Sequence, residues 1–110
     1  MHNGQLSMFF ILRSLIGNFT IDPPEITGIS KNQTKHEGDI LTLSCTAYGD
    51  PTPNITWTRV SDNSAVTFPL TISGKQDEGV YKCTADNGVG DAATRSVNVF
   101  VRSESVSLGY

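Results

Sequence analysis

From residue 25 onward, apolar and polar positions alternate with a period of two, and no stretch carries the three-to-four spacing of a helix. Residues 40–48 put Leu41, Leu43, Cys45 and Ala47 on one face and Thr42, Ser44 and Thr46 on the other, the pattern of a half-buried strand. Residues 54–60 repeat it, with Ile55 and Trp57 inward and Thr56 and Thr58 outward. A short strand follows at 70–72 and a corner at 75–79. Tyr81, Cys83 and Ala85 then face inward in residues 80–86, as do Val97, Val99 and Val101 in residues 93–101. A first strand over 25–29 and a polar connection over 31–37 precede these. Gly38-Asp39, Gly49-Asp50-Pro51-Thr52-Pro53 and Asn87-Gly88-Val89-Gly90 supply the turns, where proline withholds a ladder donor and glycine tolerates positive φ. The pattern predicts an all-β chain.

The N-terminal region differs. Residues 8–16 are strongly apolar, but Arg13 interrupts them well short of the roughly 18 residues of a membrane span. As a secretory leader the run is poor: no Lys or Arg precedes it, Arg13 lies inside it, and Leu15 stands where a small residue is wanted. Residues 18–21 alternate like the end of a strand, and Asp22-Pro23-Pro24 is expected to stop them as a linker would. The expected division is an N-terminal segment over 1–23, the end of a preceding domain or a poor signal-like segment. A folded domain over 24–101 and a short polar tail over 102–110 follow, with no membrane span.

Length and charge narrow the function classes. The 110 residues suit one ordinary domain, with 37% hydrophobic and 17% charged positions, a composition that can fold. Eight Lys and Arg against eleven Asp and Glu give a net charge of −3, so no basic stripe faces a phosphate backbone and nucleic acid is not an expected partner. The two cysteines leave open one internal bridge or two unrelated thiols.

Three features belong together: Cys45, Trp57 twelve positions later, and Cys83, thirty-eight positions after the first cysteine. With Leu70-Thr71-Ile72 and the string Asp77-Glu78-Gly79-Val80-Tyr81-Lys82-Cys83, they make residues 24–101 resemble an immunoglobulin domain of the intermediate or C2 set. The turns at 49–53 and 85–90 are similar to those of extracellular modules of the hemicentin, neural cell adhesion and contactin types. The resemblance implies a two-sheet antiparallel sandwich and a Cys45–Cys83 disulfide across its core. Trp57, Leu70 and Tyr81 would pack in that core, the Tyr81 hydroxyl turning back to backbone near Asp77. Twelve residues separate Trp57 from Leu70, enough for a short edge piece near 65–68. The expected form is therefore compact and C2-like with little or no D strand: the Cys45 and Leu70 strands in one sheet, the Trp57, Cys83 and Val99 strands in the other. No basic partner for Asp77 stands at the start of the strand after that piece, so Asp77 is expected to accept local backbone hydrogen bonds only.

Candidate chemistry is sparse. His2 and His36 belong to no nucleophile–base arrangement, so no catalytic residue and no enzymatic activity are expected. The Cys and His positions lack paired zinc-ligand spacing, and Asp86-Asn87-Gly88 lacks the oxygen ligands of a calcium site, so neither metal nor cofactor is expected. Asn18-Phe19-Thr20, Asn32-Gln33-Thr34 and Asn54-Ile55-Thr56 are glycan acceptor patterns, with Asn32 and Asn54 the more accessible. The outward residues of the Trp57, Cys83 and Val99 strands, Thr56, Thr58, Lys82, Thr84, Asp86, Ser96, Asn98 and Phe100, form a candidate binding face. The resemblance implies a non-enzymatic recognition or adhesion module of a larger extracellular or cell-surface protein. Its partner would be a protein, homophilic or heterophilic, and not a small-molecule substrate. Two other settings for the same fold are an intracellular muscle-filament element with reduced cysteines and part of a receptor-kinase ectodomain.

Overall fold

The computed structural model describes residues 21–102. They form β1 (Asp22–Ile29), β2 (Gln33–His36), β3 (Ile40–Leu41), β4 (Cys45–Asp50), β5 (Asn54–Arg59), β6 (Ser64–Val66), β7 (Leu70–Thr71), β8 (Gly79–Asp86) and β9 (Ala93–Arg102), with a short 3-10 turn at Lys75–Asp77. One layer consists of the pairs β1–β4 and β3–β7; β3 and β4 succeed one another along the strand expected over 40–48. The other is a five-stranded sheet in the order β2-β9-β8-β5-β6. Every pair is antiparallel except β2–β9, which runs parallel from Gln33↔Val99 to His36↔Arg102.

The core lies between the layers and follows the period of two. Leu41, Leu43 and Ile72 from the first layer meet Trp57, Tyr81, Cys83, Ala85, Val97, Val99 and Val101 from the second. Removing a large apolar side chain from water contributes about 1.5–3 kcal/mol, and Leu41, Ile72, Val97 and Val99 are almost wholly buried. A disulfide joins Cys45 to Cys83 and so ties the two layers together. Phe68, on the connection between the layers, sets its ring edge-on to Trp57 at 5.6 Å and tilted to Tyr81 at 6.3 Å. Ser64–Val66 pairs with β5, and no strand lies between Val66 and Leu70 among the described residues, the C2-like outcome.

The corner between β7 and β8, over residues 75–79 and hereafter the E–F corner, departs from expectation. The Tyr81 hydroxyl donates to the Asp77 carbonyl at 2.6 Å, as the motif implies. Asp77 Oδ2 accepts from Ser73 N at 2.7 Å and Ser73 Oγ at 3.0 Å. Asp77 is not a purely local acceptor, however: Arg59 Nη2 lies 3.5 Å from Oδ1. Arg59 occupies the inward phase of β5, two residues beyond Trp57, and reaches the corner across the Tyr81 ring, whose centroid is 5.5 Å from the guanidinium carbon. Burial holds the Tyr81 phenol above its ordinary pKa of 10.0; Arg59 opposes that shift and Asp77 reinforces it.

Three further differences have physical causes. β1 starts at Asp22 and includes both prolines where a linker is expected from sequence. It is an edge strand, and its register with β4 shifts between Asp22 and Glu25, where Pro23 and Pro24 have no donor to offer. The polar connection over 31–37 contains β2, which is held by backbone pairing to β9 rather than by an apolar face. Ile55 keeps 37% of its surface exposed because β6 flanks β5 only from Trp57 to Arg59, leaving the first half of β5 at the open end of the sandwich. Residues 1–20 and 103–110, including the apolar run and Asn18, lie outside the described residues.

Candidate recognition face

The outer surface of the five-stranded sheet is set by strand phase. With Trp57, Cys83 and Val97 inward, the alternate residues point outward, and register places them in rows. Lys82 on central β8 stands between Thr58 of β5 and Ser96 of β9. The next row joins Thr56, Thr84 and Thr94, and beyond it Asn54 lies opposite Asp86. Toward the other end Val80 pairs with Asn98, and Val60 donates its backbone N–H to the Val80 carbonyl at 2.9 Å. Phe100 is half exposed at the same end. The structure therefore brings together on one sheet face the residues expected there: Thr56, Thr58, Lys82, Thr84, Ser96, Asn98 and Phe100. It adds Thr34 beside Phe100 and Ala65 beside Thr58, contributed by β2 and β6. β2 had no apolar signal by which sequence could place it there.

The two outer faces differ in how their polar groups are used. On the β1–β4 side, four hydroxyls pair with each other, Thr27 Oγ1 with Thr46 Oγ1 at 3.3 Å and Ser30 Oγ with Ser44 Oγ at 3.2 Å, while those of Thr42 and Tyr48 have no partner among the described residues. Ser44 N also donates to Ser30 Oγ at 2.7 Å. On the five-stranded side, the hydroxyls of Thr56, Thr84 and Ser96 and the Lys82 ammonium have no side-chain or backbone partner among the described residues. The Thr58 hydroxyl is buried and likewise unpartnered. Unlike the buried Thr58 hydroxyl, the Thr56, Thr84 and Ser96 hydroxyls and the Lys82 ammonium can exchange water for a partner's hydrogen bonds without first breaking bonds inside the domain.

Side-chain clamps fix both ends of this sheet. At one, Asn87 Nδ2 donates to the carbonyls of Asp22 at 2.7 Å and Pro51 at 2.9 Å, while its Oδ1 accepts from Val89 N at 3.0 Å. Three segments, the start of β1, the β4–β5 loop and the β8–β9 hairpin, are thus held by one amide. That hairpin turns through Gly88 and Gly90 at φ of 80° and 65°, conformations glycine adopts without strain. At the other end, Lys75 Nζ donates to the Val101 carbonyl at 2.8 Å and Glu78 Oε1 accepts from Val101 N at 2.9 Å. The bond from Val101, then that from Lys75, hold the Glu78 carboxyl below its ordinary pKa of 4.5.

The acceptor asparagines occupy different settings. Asn32 is exposed, and its Oδ1 accepts from Asn98 N at 2.9 Å. Asn54 is exposed at the start of β5 and opens onto a groove. His36 lies on β2 with its Nδ1 3.7 Å from Asp39 Oδ2. Among the described residues no three His, Cys, Asp or Glu side chains converge as a metal site, and no helix is long and apolar enough to cross a membrane.

Two layers bridged by Cys45–Cys83, a tryptophan beside the bridge and a tyrosine hydroxyl on the E–F corner define an immunoglobulin-type sandwich. The immunoglobulin-domain family profile matches residues 23–87, and the chain belongs to that family. It is 38% identical over 76 residues to MAM domain-containing glycosylphosphatidylinositol anchor protein 2 of Mus musculus, covering 60% of this chain and 8% of that protein. It is 38% identical over 86 residues to Lachesin of Drosophila melanogaster, covering 66% of this chain and 24% of that one. Its identity to vascular endothelial growth factor receptor kdr-like of Danio rerio is 41% over 76 residues, or 60% of this chain and 6% of the receptor. The chain thus spans less than a quarter of the length of each of these relatives.

Among solved structures, Dpr11 IG1 bound to DIP-gamma IG+IG2 superposes with a TM-score of 0.67 at 27% identity, covering 76% of this chain and 49% of that chain. A chimeric titin Z1Z2 superposes at 0.66 over 78% of this chain and 100% of that one, but at 20% identity it shows the fold alone.

Proposed function

We propose that this domain is a non-enzymatic extracellular recognition module of a larger cell-surface or matrix protein, and that it docks a protein partner through the outer face of its five-stranded sheet. The observation that carries this reading is the cluster of unpartnered polar groups on that face. Thr56, Thr84, Ser96 and Lys82, on adjacent strands, present polar groups with no partner among the described residues beside the exposed Phe100 ring, whereas on the β1–β4 side Thr27 pairs with Thr46 and Ser30 with Ser44. The exposed Phe100 is of the aromatic type enriched in protein interfaces, and the hydroxyls with Lys82 would supply the polar rim around such an anchor. The family setting supports a protein partner, since the Dpr11 and DIP-gamma structure is itself a complex of immunoglobulin domains. The disulfide and the exposed acceptor asparagines Asn32 and Asn54 favour an oxidising, secretory environment over a muscle-filament setting.

The test is binding of the multimerised domain to an array of secreted ectodomains that includes a second copy of this chain; multimerisation raises weak contacts into a measurable range. Lys82→Glu and Phe100→Ala are expected to abolish the strongest signal, and Thr27→Glu on the opposite layer to leave it intact. The reverse ranking would remove the face assignment.

A further inference from the structure

At the end of the face where Asn54 meets Asp86, an open groove of about 520 Å³ runs between the β4–β5 loop and the β8–β9 hairpin. Its floor is a two-by-two block of outward residues, Asn54 opposite Asp86 and Thr56 opposite Thr84. Its walls are Pro51 and Thr52 on one side and Asn87 and Gly88 on the other. The walls are braced: Asn87 Nδ2 is bonded to the Pro51 carbonyl at 2.9 Å, and Gly88 N to Asp86 Oδ1 at 3.0 Å. The size falls within the roughly 300–1,000 Å³ of ligand-binding clefts. Its lining is polar at the floor, with the hydroxyls of Thr56 and Thr84 unpartnered among the described residues.

The residue at the head of this groove is also an acceptor asparagine, in Asn54-Ile55-Thr56. Its side-chain amide has no partner among the described residues, unlike Asn87, whose nitrogen is doubly engaged, and Asn32, whose oxygen is. We infer that Asn54 carries an N-linked glycan and that the groove seats its first N-acetylglucosamine, with the Thr84 hydroxyl and the Asp86 carboxylate as its hydrogen-bonding partners. In forming the link, Asn54 Nδ2 bonds to the anomeric carbon of a lipid-pyrophosphate-linked oligosaccharide and gives up one proton, and the lipid pyrophosphate leaves. The attached sugar has a ready seat, so it need not be ordered at full entropic cost. It covers the Thr56–Thr84 end of the outer sheet face, which confines a protein partner to the Lys82, Ser96 and Phe100 end. The inference rests on the extracellular reading above and refines it.

The experiment uses the full chain secreted from eukaryotic cells, with site occupancy read by mass spectrometry and glycan release by peptide N-glycanase followed on folded and on reduced, unfolded protein. Asn54 is expected to be occupied, Thr56→Ala to lose the glycan and Thr56→Ser to retain it. Release from folded protein is expected to be slow. Thr84→Ala, which leaves the acceptor pattern intact, should speed it about threefold to tenfold, the weight of one hydrogen bond. A bare Asn54, or release equally fast from folded wild type and Thr84→Ala, overturns the seat. Either result with binding still lost in Lys82→Glu sinks the seated sugar and leaves the docking face standing. A protected sugar with unaffected binding in Lys82→Glu does the opposite.

Discussion

Arg59 and Asp77, eighteen residues apart, meet at 3.5 Å with the Tyr81 ring beneath the guanidinium. The pair links the end of β5 to the E–F corner, and the Asp77 side chain is only 7% exposed. Arg59→Met keeps most of the aliphatic stem and removes the charge. It is expected to cost roughly 1.5–3 kcal/mol, the range for a hydrogen bond to a charged group. Urea unfolding with an unchanged slope checks it, and a midpoint equal to that of wild type would show that Ser73 alone satisfies Asp77.

The Cys45–Cys83 bridge closes a loop of 38 positions. Constraining a loop of that length removes about 4 kcal/mol of denatured-state entropy in the chain-entropy account. Cys45→Ala/Cys83→Ala is expected to lose stability on that scale and to melt well below wild type. In protein isolated from its native source under alkylating conditions, both thiols are expected to be unreactive. Alkylation of both without prior reduction would contradict the oxidising compartment.

Asn87 holds three segments through one amide. Asn87→Asp replaces a nitrogen that donates to two carbonyls with an oxygen that repels them. A loss of about 1–3 kcal/mol is expected. Hydrogen exchange should accelerate first at the start of β1 and in the β4–β5 loop. Uniform acceleration across β8 and β9 instead would show that the amide supports the whole sandwich rather than its end.

Glu78 carries a pH dependence. Its bonds from Val101 N and Lys75 Nζ stabilise the carboxylate and lower its pKa from 4.5. The depressed group therefore contributes stability above its unfolded value, and that contribution is lost as pH falls through the folded value. Glu78→Gln is expected to be less stable than wild type at neutral pH and to converge with it in acid. Asp62, lowered by its bonds from Ser64, titrates in both proteins and cancels in the difference. A constant gap from about pH 7 to about pH 3 would contradict the assignment.

Much of this fold was legible because burial imposes a period of two. Leu41, Leu43, Tyr81, Cys83, Val97 and Val99 each face where alternation puts them. What alternation could not show was held by backbone or by distant side chains. β2 has no apolar face and exists through its ladder with β9. The prolines of β1 read as a stop, yet a strand with one neighbour needs only part of its donors. Arg59 was hidden because its partner lies across the layer, not next to it in sequence. At the outer face, strand phase identified the outward residues. Which hydroxyls were already paired depended on cross-strand register, and the groove beside Asn54 on two loops that sequence does not bring together.

The most direct test of the recognition surface is nuclear magnetic resonance of the labelled domain titrated with the ectodomain that binds it most strongly in the array. Backbone amide shifts are expected to move at Lys82, Ser96, Asn98 and Phe100 and to stay fixed at Thr27, Ser44 and Thr46. Shifts confined to the β1–β4 side, with the five-stranded face unchanged, would contradict the account.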